Sequence, residues 1–323
     1  VLLPDDWIDR DLVEIACLAP LQEVYLPQLE SKCLRLFVKR EDMLHSYLGG
    51  NKLYKLHGYL CDYRGRRGKL PLATFGGAYS NHILALASAA HMCDIPSIGV
   101  IRGYEPDRLS ATLQDAKSLG MHLEYVSRED YRRRHSQDYL RELERTLGAC
   151  YWIPEGGAGV LGARGCIALA EGITRCCREK PDAIFHACGT GASVAGLVAG
   201  FARQPVGNIY NYGVSVLKGQ TEIFDRIHRQ ITVLGAESQT CWRVLDDYHC
   251  GGYARYPEDL AFFVRNFEAQ TNVLLDPVYT SKVMWAIIDL VEKDFFSPGS
   301  SIVAVHSGGL QGRRGCGLDF NAH

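Results

Sequence analysis

Short β-rich runs and helix-length segments alternate along almost the whole chain, and this alternation constrains the fold more than any other feature. Strands are read at Leu34 to Arg40, Pro71 to Phe75, Ser97 to Arg102, His122 to Ser127, Tyr151 to Pro154, Ala183 to Cys188, Ile209 to Val216, Ile231 to Glu237 and Ser301 to His306. Helical segments lie between them at Ser80 to Met92, Leu109 to Leu119, Gln137 to Leu147, Val160 to Arg178, Ala192 to Phe201, Pro257 to Ala269 and Pro277 to Lys293. Such alternation predicts an α/β fold of parallel sheets with helices on their faces. Runs such as Ala183 to Cys188 are apolar without alternation, as in strands covered on both faces. A chain of 323 residues is long enough for two such units. Two parallel sheets with flanking helices leave a cleft faced by the carboxyl ends of the strands, where ligands of these folds bind. A single eight-fold barrel is the alternative. It demands a more regular repeat than Val38 to Gly76, with its Gly49-Gly50 loop, provides.

Charge and cysteine usage exclude several classes of function. Thirty-five basic and 37 acidic side chains give a net charge of -2, which leaves no electrostatic footprint for nucleic acid or an anionic membrane. The longest basic cluster, Arg132-Arg133-Arg134, sits among acids and aromatics and reads as a solvated helix face. No apolar run approaches the roughly 20 residues of a membrane helix, and Val1 to Arg10 holds no signal-peptide core. The 12 cysteines are scattered, form no CxxC pair and include the adjacent Cys176-Cys177, a poor geometry for a bridge. They read as free thiols in a reducing cytoplasm, with Cys166 and Cys188 acting as small hydrophobes. No spacing supports a metal site.

Four glycine turns carry the chemistry. Gly49-Gly50-Asn51-Lys52 precedes a helical run. Gly76-Gly77-Ala78-Tyr79-Ser80-Asn81-His82 and Cys188-Gly189-Thr190-Gly191-Ala192-Ser193 each follow a strand and open a helix. His306-Ser307-Gly308-Gly309 follows the last strand. A glycine turn at a helix N-terminus presents backbone N–H groups and the positive end of the helix dipole, which suits phosphate. The turn at Gly189 has that form. It fails as a dinucleotide fingerprint because Val194 stands where a third small residue should fall, and no P-loop string occurs. Lys52 is placed at a helix start, where the dipole disfavours a cation. That field and burial both lower its pKa and favour the neutral amine that a Schiff base requires. Lys55 is its competitor, but lacks the preceding Gly-Gly-Asn turn.

Taken in order, these turns resemble the pyridoxal-phosphate enzymes of the tryptophan-synthase β type (fold type II), in the branch that holds D-cysteine desulfhydrase and 1-aminocyclopropane-1-carboxylate (ACC) deaminase. The matching strings are Val38-Lys39-Arg40-Glu41-Asp42, Gly50-Asn51-Lys52, Gly76-Gly77, Ser80-Asn81-His82, Gly189 to Gly196, Leu275-Asp276-Pro277-Val278-Tyr279-Thr280 and His306-Ser307-Gly308-Gly309. The resemblance implies a large cofactor domain (1–53 plus 158–323), a small domain (54–157), an active site in the cleft between them, and a homodimer. It implies that Lys52 holds pyridoxal 5'-phosphate and moves the α-proton, and that Asn51 positions the lysine or the cofactor's phosphate end. Gly189, Thr190, Gly191, Ala192 and Ser193 would bind the phosphate, and Asn81 the ring's 3-oxygen. Ser80 and the backbone N–H groups of Asn81 and His82 would take the substrate carboxylate. Tyr279 and Tyr253 would act as acid or base over the site.

In this branch the deaminases carry Glu after the DPVY tyrosine and Leu after the final His, where this chain has Thr280 and Ser307. Hydroxyls beside the pyridine nitrogen do not enforce its protonation as a carboxylate does. A neutral ring suffices to expel a good leaving group such as thiolate. The expected reaction is therefore D-cysteine and water to pyruvate, sulfide and ammonia, with ACC or another β-substituted amino acid as the alternative substrate. Tyr79, Tyr54, Ala158-Gly159, Ser281 and Arg313-Arg314 depart from the branch pattern, and Tyr79 and Ala158-Gly159 are expected to border the substrate pocket. A nicotinamide-dependent oxidoreductase using the Gly189 turn is a competing reading, though Ile209 to Leu217 lacks the acid it needs. A non-catalytic amino-acid or cofactor binder is another.

Overall fold

The computed structural model describes residues 2–205, 207, 209–219, 221–237 and 241–316. Within them ten strands form two sheets. The strands are β1 (Leu21–Val24), β2 (Arg35–Lys39), β3 (Leu72–Gly76), β4 (Ser97–Arg102), β5 (His122–Val126), β6 (Tyr151–Ile153), β7 (Ala183–Cys188), β8 (Tyr210–Ser215), β9 (Trp242–Leu245) and β10 (Ser301–Val305). The larger sheet has the order β1-β2-β10-β7-β8-β9 and the smaller β5-β4-β3-β6. Every pairing is parallel except that of β1 with β2. The central strands β3 and β7 are buried along their whole length, as their unbroken apolar composition predicts.

The chain departs from its predicted elements in several places. Ile231 to Glu237 is not a strand: Ile231 belongs to the helix Ile223–Val233. Its β-branched run suggested a strand, but Ile223, Ile227 and Ile231 recur at a spacing of four and are all buried, the helical period. The sheet is completed instead by β9. The predicted helix Val160 to Arg178 divides at Cys166 into Val160–Gly165 and Ile167–Cys176. The short edge strand β1 is only partly buried and carries no period that marks it.

One apolar core runs between the sheets. It joins Leu72, Ile101 and Ile153 of the smaller sheet, Ile184 and Val303 of the larger, and Leu53, Leu56 and Leu60 of the helix Asn51–Gly65. That helix crosses Val160–Gly165 at close range. A Cβ at Gly165 would run into the carbonyl oxygen of Tyr54, and one at Gly58 into that of Leu161. All 12 cysteines are free, with Cys166 and Cys188 buried. Among the described residues no helix is long and apolar enough to cross a membrane, and no three His, Cys, Asp or Glu side chains cluster to hold a metal ion.

Candidate active site

The four glycine turns meet at one place. Three of them follow the carboxyl ends of β3, β7 and β10, and the fourth opens the helix that carries Lys52. Gly50 has φ +75°, and a Cβ there would strike the carbonyl oxygen of Ser307; a Cβ at Gly309 would strike Asn81 Nδ2. Asn51 Nδ2 donates to Ser193 Oγ at 2.9 Å. These contacts leave no space for larger residues and fix the turns against one another.

Lys52 Nζ donates to Asn51 Oδ1 at 3.1 Å and lies 5.8 Å from the centre of the Tyr279 ring. Its pKa is lowered to about 7, by burial first and then by the charge of Lys55. Lys55 reaches the same place from one turn further along the helix. Its Nζ donates to the carbonyl oxygen of Gly156 at 3.2 Å and to Thr190 Oγ1 at 3.4 Å, and burial lowers its pKa as well. Sequence reasoning set Lys55 aside as a competitor of Lys52. The signal available was its i+3 spacing, which puts both amines on one face of the helix.

Gly189 and Thr190 lead from β7 to Gly191, in the left-handed region at φ +84°, which caps the helix Ala192–Ala202. The first N–H groups of that helix have no intrahelical acceptor. With Thr190, Ser193 and the Lys55 ammonium they form a donor set suited to a phosphate dianion. A buried amine of lowered pKa linked through Asn51 to this cradle is the arrangement a phosphorylated aldehyde requires, so the residues present fit pyridoxal phosphate.

Ser80 caps the helix Asn81–Met92, its Oγ accepting the Ile83 N–H at 3.3 Å. The N–H groups of Asn81 and His82 point out of that first turn. The His82 side chain is buried, Nε2 lying 3.1 Å from Thr74 Oγ1, and burial with the two lysine charges holds its pKa well below the usual range. Asn81 Oδ1 accepts from Gln311 Nε2 at 2.9 Å, a partner that no local motif marks. Tyr79 is 54% exposed and lies against Gly315, where a Cβ would come 2.8 Å from its ring. Tyr253 and Tyr279 meet edge to face with centroids 6.3 Å apart. Burial raises both phenols, and the neighbouring Tyr253 raises Tyr279 further.

The Thr280 hydroxyl is held by Asp276. The Asp276 carboxylate accepts from the N–H groups of Val278 (3.0 Å) and Thr280 (2.6 Å) and from Thr280 Oγ1 (2.8 Å). Thr280 Oγ1 in turn accepts the Asp276 N–H at 2.8 Å. The Thr280 proton is thereby directed at Asp276. Other departures from the branch pattern have local partners. Tyr54 donates to the buried Glu41 at 2.6 Å, and Arg313 pairs with Glu268 and Arg314 with Asp115. The Ala158 carbonyl accepts from Tyr59. Ser281 Oγ is buried without a partner, and nothing in the structure explains it.

Residues 18–308 match the profile of the family described as pyridoxal-phosphate dependent enzyme. The chain belongs to that family. A crystal structure of an ACC deaminase homologue superposes with a TM-score of 0.80 at 27% identity, covering 93% of this chain and 91% of that one. The D-cysteine desulfhydrase of Klebsiella pneumoniae is 28% identical over 303 residues, 90% of this chain and 92% of that one. The bifunctional mitochondrial D-cysteine desulfhydrase/ACC deaminase of Arabidopsis thaliana is 28% identical over 311 residues, 91% of this chain and 76% of that one. The protein is thus a pyridoxal-phosphate enzyme of fold type II, in the ACC deaminase and D-cysteine desulfhydrase branch. This membership replaces both the nicotinamide-oxidoreductase and the non-catalytic readings.

Proposed function

We propose that the protein is a lyase that releases pyruvate, sulfide and ammonia from D-cysteine. Bound pyridoxal phosphate supplies an electron sink for the carbanion formed at Cα. Lys52 is assigned as the residue that would hold the cofactor and as the amine that would take the substrate's α-proton. An amine with a pKa of about 7 can hold and return a proton near neutral pH. Lys55, Thr190, Ser193 and the N–H groups at the start of Ala192–Ala202 are assigned to the phosphate, with Asn51 tying Lys52 to them. The carboxylate falls to the Ser80 turn with the N–H groups of Asn81 and His82, and the 3-oxygen to Asn81. The raised phenols of Tyr279 and Tyr253 stay protonated at neutral pH and can donate to the departing sulfur. The division into 1–53 plus 158–323 and 54–157 belongs to the same reading, as does a homodimer.

One observation supports thiolate loss over cyclopropane opening. Neither Thr280 nor Ser307 is a carboxylate. A pyridine nitrogen placed beside hydroxyls in place of a carboxylate would not be held protonated, and a neutral ring would be enough for a β-leaving group that departs readily. Purified holoenzyme should form pyruvate and sulfide from D-cysteine and little 2-oxobutyrate from ACC. Turnover of ACC without turnover of D-cysteine would overturn the assignment.

A further inference from the structure

Beside the cleft lies a hollow of about 370 Å³ lined by Arg102, Arg128, Tyr131, Arg132, Arg134 and Glu155. Four cations face one acid there, on a chain whose net charge is -2. The acid is already engaged: Glu155 accepts from Tyr131 OH and from Arg134 Nε, each at 2.6 Å. Arg102, Arg128 and Arg132 have no ion-pair partner among the described residues, and Arg102 stands 5.7 Å from the centre of the Tyr131 ring. Arg132 and Arg133 are exposed, as expected of a solvated face, and Arg133 pairs with Asp130 and Glu142, whereas Arg134 is half-buried on Glu155.

The hollow adjoins the reacting groups on two sides. A Cβ at Gly77, in the turn leading to Ser80, would lie 3.7 Å from Arg102 Nη2. Glu155 immediately precedes Gly156, whose carbonyl oxygen accepts from Lys55 and whose Cβ would come 3.0 Å from Thr190. Arg102 and Glu155 both act electrostatically on Tyr253. From the other side of the cleft, Arg226 acts on His135, the neighbour of Arg134.

Resting on the lyase reading, we propose that this hollow is an anion subsite that admits a second class of substrate, amino acids whose side chain carries a phosphate, sulfonate or carboxylate beyond Cβ. Three forks without acid partners, next to the turn assigned to the α-carboxylate, match a second anion displaced along the substrate. With O-phosphoserine the α-proton leaves Cα, and the Cβ–O bond breaks with its electrons going to phosphate. Water then hydrolyses the released enamine to pyruvate and ammonia.

The test compares wild-type holoenzyme with the Arg128→Gln/Arg132→Gln double variant and with Arg102→Gln. Pyruvate formation is followed from O-phosphoserine (each enantiomer) and from β-chloroalanine, its uncharged counterpart. Calorimetry measures binding of sodium sulfate and of O-phosphoserine. In both variants kcat/KM for O-phosphoserine should fall about tenfold or more, mainly through KM, while that for β-chloroalanine changes less than about twofold. Equal losses on both substrates, or none on either, overturn the proposal. Sulfate binding lost in the variants, without any wild-type preference for O-phosphoserine over β-chloroalanine, marks a free-anion site and overturns it too. Failure of the lyase reading would look different, since no amino acid would yield pyruvate. Loss or retention of O-phosphoserine binding in the variants would then decide the subsite by itself.

Discussion

At the scale of single residues, the proton on Lys52 governs how the site is loaded. An ordinary lysine is neutral in roughly one molecule in three thousand at pH 7; Lys52, at about 7, is neutral in half. Apoprotein should combine with pyridoxal phosphate at a rate that rises through pH 7 and levels off above it, as a growing aldehyde-lysine absorption band would show. Because the Lys55 charge contributes to the depression, Lys55→Gln should move that midpoint upward at saturating cofactor, and Lys52→Ala should abolish the band. The same shift has a stability consequence. Between about 7 and 10.5 the unfolded chain binds the proton that the folded chain has lost. Apoprotein stability therefore gains from this group as pH rises through that window. Urea midpoints at pH 7 and pH 9, with Lys52→Ala as reference, measure the gain. The residues of this site were legible because Schiff-base and phosphate chemistry need particular residue types in glycine turns. Gln311 was not, since a partner from a distant loop carries no local mark, and the i+3 spacing of Lys55 from Lys52 marks a shared helix face but no role.

At the scale of elements, two features hold the chemistry in register. Asp276 binds the start of the helix Thr280–Glu292 through backbone N–H groups and Thr280 Oγ1, and this fixes where Tyr279 stands. Asp276→Ala should cost about 2 kcal/mol in chemical unfolding, the scale of a lost cap with buried donors left unpaired. It should lower kcat more than it raises KM, with partial rescue by Asp276→Asn. The other feature is the close crossing of Asn51–Gly65 on Val160–Gly165. Gly165→Ala drives a methyl group into the Tyr54 carbonyl, two residues from Lys52. A loss of about 1–3 kcal/mol is expected from overpacking, with a weaker cofactor band in the same variant. The sequence periods located most of these elements, since buried parallel strands and amphipathic helices carry strong patterns. They failed where β-branched residues sat on a helix, at Ile223–Val233, and where an edge strand was too short to show a period, at Leu21–Val24.

At the scale of the molecule, two sheets need not mean two folding units. Domains that fold alone each enclose their own core, but here one core takes in strands of both sheets and the helix that carries Lys52. Other clusters lie outside it: a large one on the other face of the larger sheet around Phe185, Val283 and Ile287, one around Phe75, Tyr131 and Tyr139, and one around Ile223, Ile227 and Trp242. Separation of the sheets would expose Leu53, Leu56, Leu60, Leu84 and Leu169 together, at about 1.5–3 kcal/mol for each buried leucine brought fully into water. That cost exceeds the whole stability of many domains, so the two sheets should unfold together. The tryptophans provide the measurement, because Trp7 lies in the shared core, Trp152 packs beside the Phe75 cluster and Trp242 belongs to the Ile223 cluster. Apoprotein variants retaining one of these three, with the other tryptophans replaced by Phe, should give urea transitions that coincide after scaling for each variant's own midpoint by circular dichroism. A Trp152 transition that precedes the Trp242 transition would show that the smaller sheet melts alone. The shared core would then be a docking surface between two independent units, and motion of 54–157 against the rest would become the mode of access to the cleft.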